Sequence, residues 1–165
     1  MPRLVGASAP APKISRPDGA QEKVSLSKED FEELANFRLA LRRFLSFSEK
    51  ASRIAGVSTQ QYQAMLVVKA HAAPAMAIKD LAEQMLLRPN GAVQLVDRLV
   101  QAGLAERLPS DADRRSVLVA LTPEGESVTA RLALDHYAEL IRHKPLLAES
   151  LSYLRRMGKP GGARR

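Results

Sequence analysis

DRRSVLVALTPEG, residues 113–125, joins a charged tip to a short strand and that strand to a helix start. Val117, Val119 and Leu121 alternate with Leu118 and Ala120, the period-two pattern of a strand with one face buried. Thr122 then stands where an N-cap belongs. Its hydroxyl can accept a helix-start N–H, Pro123 has no donor to lose at the first helical position, and Glu124 complements the positive end of the helix dipole. The strand therefore passes directly into a helix.

Just upstream, Leu104 to Leu108 reads as a partner strand, Pro109 to Arg114 as the loop, and Arg115 to Leu121 as the returning strand. Before this hairpin, Ile78, Leu81, Ala82 and Met85 make a short helix, and a tight turn follows at Leu86 and Leu87. Pro89 opens a second helix, which runs through Val93, Leu95, Val96 and Leu99 to a stop at Gly103. Two short helices across a tight turn are a helix-turn-helix candidate, and the hairpin is its wing.

The outer segments are helical. Ser27 and Asp30 suggest a capping box, and Phe31, Leu34, Phe37, Leu41, Phe44 and Leu45 recur at helical spacing up to about Arg53, before Gly56. Ser58 and Gln61 make a clearer capping box for a helix with Tyr62, Met65, Leu66 and Val68, which Ala72 to Pro74 break. After Pro123 a helix is expected to about His143. Lys144 and Pro145 should interrupt it before a last helix with Leu146, Leu147, Leu151 and Leu154. The expected fold is mainly α with a small β-hairpin wing. Residues 1–26, rich in Pro, Ser, Gly and Ala, read as a disordered arm, residues 27–157 as the domain, and residues 158–165 as a basic tail.

The chain has 165 residues and a net charge of +7, but residues 28–157 account for only +2 of it, so total charge says little and its placement must say more. No cysteine is present, which excludes a disulfide, a thiolate metal site or a thiol switch within the chain. The first residues lack the apolar core of a signal peptide, and no apolar run of membrane-spanning length exists, so a cytoplasmic protein is expected. No nucleophile beside a base, carboxylate pair, phosphate-cradling Gly loop or cofactor motif argues for an enzyme. His71 stands alone, at an expected helix end.

With DRRSVLVALTPEG and LVDRLVQAGLAER (Leu95 to Arg107) in this order, the chain resembles the MarR family of winged helix-turn-helix transcriptional regulators over roughly Phe31 to Met157. The resemblance implies a homodimer built from its first and last helices, 27–55 and 123–157, with a DNA-binding lobe over 58–121. It also implies a helix reading the major groove of double-stranded DNA and a wing reaching the minor groove, most often to repress. Carried over, Arg88, Pro89, Asn90, Gly91, Val93 and Gln94 face base edges. Asn90 and Gln94 are the side chains able to pair bidentately with adenine, and Gly91 allows close backbone approach. This segment departs from the family's Ser/Thr-rich pattern. On the wing, Arg115 resembles the minor-groove arginine, Asp113 its acidic orienting partner, and Arg114 a phosphate contact. Asp97 and Arg98 resemble the family's Asp-Arg pair, mainly structural, with Arg98 and Lys79 also assigned to phosphate.

The same resemblance sets a small-molecule pocket between the lobes, near Arg42, Arg43, Phe44, Phe47 and Tyr62. Apolar walls with nearby cations would suit an anionic aromatic effector. His136, Glu139 and His143 share one helix face at i, i+3 and i+7. They read as exposed polar cover, with a metal-responsive regulator as the alternative. A protein-interaction module with an idle wing is the other alternative.

Overall fold

The computed structural model describes residues 26–110 and 116–157. Helix α1 spans Lys28–Ile54, α2 Thr59–Ala70, strand β1 Ala75–Ala77, α3 Ile78–Gln84, α4 Pro89–Gln101, β2 Ala105–Pro109, β3 Val117–Leu121 and α5 Pro123–Met157. The local signals place most boundaries. Both capping boxes form: Ser27 with Asp30, and Ser58 with Gln61, each side chain bonded to the other residue's backbone N–H. Pro89 is the first residue of α4, and Gly56 and Gly103 take φ +77 and +69 after α1 and α4, where a side chain would be strained.

Two expectations need correction. Pro145 does not interrupt the last segment, because α5 is one helix of 35 residues. Proline fits a helical φ, and its cost in a helix interior, the lost bond to the i−4 carbonyl and the crowding of its ring against it, is borne by the rest of a long helix. There is also a third strand. β1 pairs antiparallel with β3, giving the sheet order β1-β3-β2, with Met76 opposite Val119 and Arg107 opposite Val119 on the other side. β3 is thus the central strand. Its burial does not alternate strictly: Val119 and Ala120 are both buried while Val117 is 45% exposed.

The core lies where α2, α3, α4 and the sheet meet. Met65, Met76, Leu81, Leu95, Val96, Leu99 and Val119 are fully buried there, and Leu132 brings α5 onto them. The α1–α5 pair is different. Ser48 meets His136 and Asp30 meets Tyr153, so the two helices run antiparallel. Within one chain much of their apolar surface stays uncovered: Phe31, Leu45, Ile54, Leu134, Tyr137, Ile141 and Leu151 are all about half or more exposed.

Thr122 joins the two parts. Its hydroxyl donates to the Gly103 carbonyl at 2.7 Å and accepts from Gly125 N–H at 3.1 Å, while its own N–H donates to the Leu104 carbonyl. Gly125 packs so closely there that a Cβ would collide with the Leu104 carbonyl oxygen. The end of α4 and the start of α5 are thereby one joint.

Candidate nucleic-acid interface

Helix α4 turns one face inward and leaves the other open. Ala92, Leu95, Val96 and Leu99 are completely buried. The 3.6-residue period then sets Arg88, Pro89, Asn90, Val93 and Gln94 outward, and all five are exposed. Asn90 and Gln94, four apart, share that outer face, and among the described residues neither side chain has a hydrogen-bond partner. Gly91 is half-buried. A Cβ there would lie 3.9 Å from the Leu87 Cβ, an ordinary contact, so the protein interior does not require glycine at this position.

Lys79 is exposed on the first turn of α3, and with Ile78, Pro89, Val93, Arg107 and Val117 it borders a cavity of about 470 Å³ between α3, α4 and the hairpin. Asp113, Arg114 and Arg115 lie outside the described residues, between the end of β2 at Pro109 and the start of β3 at Val117. Asp97 and Arg98 do not pair with each other, since neighbouring positions on a helix diverge. Asp97 instead pairs with Arg107 on β2 at 2.9 Å, and Arg98 reaches Gln60 of α2 at 3.5 Å. Arg107 was missed by the sequence reading. Its position in LVDRLVQAGLAER, four residues after the Gly103 turn that reverses the chain against α4, was the available signal.

The aromatic residues expected near a pocket do assemble, but around a histidine. Tyr62 stacks on His136 with ring centroids 4.5 Å apart, and Phe44 and Phe47 meet it edge-on at 5.8 and 5.5 Å. His136 Nδ1 lies 2.6 Å from the Leu132 carbonyl, which can only accept, so Nδ1 carries the hydrogen. Nε2 lies 2.8 Å from the Ser48 hydroxyl, a partner able to donate or accept. Burial, and after it the Asp135 carboxylate, raise the Tyr62 phenol above its ordinary pKa. Arg42 and Arg43 are exposed and do not line the groove of about 360 Å³ beside Phe47, whose cations are Lys50 and Arg142.

The three residues expected as exposed cover on α5 are not exposed. His136 and Glu139 are buried and His143 is partly so. Both nitrogens of His136 are engaged, and Glu139 binds Arg142 and His143, each at 3.0 Å. Among the described residues no group of three His, Cys, Asp or Glu side chains is placed to hold a metal ion. Nor is any helix among them long and apolar enough to cross a membrane.

Comparison with known proteins agrees with this geometry. Residues 55–116 match the MarR family model, a span that holds α2, β1, the helix-turn-helix and β2 and ends just before β3. The HTH-type transcriptional regulator YhbI of Bacillus subtilis is 31% identical over 97 residues, covering 58% of this chain and 62% of that protein. The chain spans between 46% and 62% of the length of the curated relatives it matches. Among solved structures, AbsC, a MarR family transcriptional regulator from Streptomyces coelicolor, superposes with a TM-score of 0.67 at 22% identity, over 82% of this chain and 93% of that one. A mutant MarR from E. coli complexed with operator DNA superposes with a TM-score of 0.60 at 21% identity, over 81% and 95%. Over residues 55–116 the chain is thus similar in sequence to the MarR family, and its described residues share the fold of these solved neighbours.

Proposed function

We propose that the protein is a DNA-binding transcriptional regulator that acts as a homodimer on a pseudo-palindromic operator, as a repressor released by a small ligand. The observation that carries the DNA reading is the outer face of α4, where Asn90 and Gln94 stand exposed and unpartnered beside Arg88, backed by a fully buried inner face. A rigid helix with free bidentate side chains is what base readout in a major groove requires. Arg98 and Lys79 anchor phosphates, and the wing segment with Asp113, Arg114 and Arg115 enters the adjacent minor groove.

Homodimerisation through α1 and α5 is supported by the apolar side chains those helices leave uncovered, which a monomer would expose to water. Residues 27–55 and 123–157 supply that body, and 58–121 the reading lobe. Two α4 helices then enter major grooves about 34 Å apart. The effector binds in the groove beside Phe47, where Lys50 of α1 and Arg142 of α5 supply the cations.

Selection of bound fragments from random duplex DNA, with the mass of the free protein measured by light scattering, tests this reading. Enrichment of a two-fold symmetric site by a dimer supports it. A stable monomer, or indifference to every duplex at low salt, overturns it. Loss of affinity with Arg115→Ala separates it from a protein-interaction module, which would be unaffected.

A further inference from the structure

The turn between α3 and α4 holds a leucine that the fold does not use. Leu86 has φ +52, in the left-handed region that disfavours every residue with a Cβ. Its side chain is 94% exposed, whereas its neighbour Leu87 packs against the core. The backbone at this point is tied down, with Leu86 N–H donating to Glu83 and Leu87 N–H to Ala82. Glycine would make the same turn without strain and without presenting an apolar side chain to water. Among the described residues nothing accounts for leucine here, and an outlier of this kind directs attention to what lies outside.

What lies outside follows from position. Leu86 stands three residues before Pro89, at the end of α4 that carries Arg88, Asn90 and Gln94. A recognition helix contacts bases with its N-terminal residues, which brings the preceding turn to the edge of the same groove. The apolar group that a base offers there is the C5-methyl of thymine. We infer that Leu86 is a specificity-determining residue that covers a thymine methyl at the edge of each half-site. This inference rests on the DNA-reading function proposed above.

The test uses the full chain and the duplex it selects, with each thymine replaced in turn by deoxyuridine, which removes only the methyl. Wild-type protein should lose about three- to fivefold in affinity at one thymine per half-site. Leu86→Ala and Leu86→Gly should bind the thymine and uracil forms of that position equally. Leu86→Gly should also melt no lower than wild type, because it relieves the positive φ, so lost discrimination cannot be assigned to unfolding. If wild type binds the duplex but discriminates at no thymine, or if both variants keep the discrimination, the inference about Leu86 fails and DNA reading stands. If wild type binds no duplex, the proposed function itself fails.

Discussion

Arg107, on strand β2 that leaves α4, grips Asp97 on that helix at 2.9 Å and approaches the Val93 carbonyl at 3.5 Å. Both partners are more than a third exposed, so the pair contributes at most about 1 kcal/mol to folding. Its effect lies in orientation. Arg107→Gln should leave the melting temperature nearly unchanged but weaken operator binding several-fold in fluorescence anisotropy. Asp97→Asn should do the same, and the double variant should be no worse than either single one. Additive losses would mean that the two side chains act separately.

The glycines at 91 and 125 should respond oppositely to alanine. Gly91→Ala places its methyl in ordinary contact and removes a flexible residue from a helix, so stability should rise by up to about 1 kcal/mol while DNA affinity falls. Gly125→Ala must push back the Leu104 backbone, and a loss of about 2 kcal/mol or more in denaturant unfolding is expected.

Gln94 and Lys79 should separate base reading from phosphate anchoring. Gln94→Ala should reduce affinity for the selected site by about 1–3 kcal/mol and relax preference at one position. Lys79→Ala should weaken all duplexes alike and reduce the slope of log affinity against log salt by about one. Identical profiles for the two variants across several salt concentrations would contradict the division.

Ser48 is the hydrogen-bond partner of His136 Nε2 in a buried setting. Ser48→Ala leaves that nitrogen without a partner among aromatic rings, and unfolding experiments should record a loss of about 1–3 kcal/mol.

Tyr62 predicts an alkaline effect. Its phenol holds its proton to higher pH in the folded chain than in the unfolded one, by burial first and the Asp135 carboxylate second. The native state therefore binds more protons above about pH 10, so stability falls as pH rises past that point. The effect is absent at neutral pH. Tyr62→Phe should flatten this part of the alkaline limb in thermal unfolding scans.

Much of the architecture is written in local chemistry. Ser58 with Gln61, Pro89, Gly103 and the Thr122-Pro123 start each satisfy or terminate backbone hydrogen bonding within a few residues, so their meaning survives without tertiary context. Strand β1 carries no such mark: three residues, Ala75–Ala77, are too few for a period, and their partner lies more than 40 residues away. Pro145 misled for the complementary reason, since its local preference against a helix interior is overridden in the long α5. The outer face of α4 was readable from its 3.6-residue period. The Asp97–Arg107 pair and the burial of His136 and Glu139 depend on which helix or strand lies opposite, which spacing along one segment does not state.

The joint at Thr122 gives the molecule leverage. Asn90 stands 13 residues from Gly103, about 20 Å along α4, and Gly103 is fastened to the first turn of α5. A swing of about 5° at that fulcrum displaces Asn90 by about 1.7 Å, enough to pull a hydrogen bond of about 2.9 Å out of range. Small rotations of a long strut are thereby amplified at the fingertip.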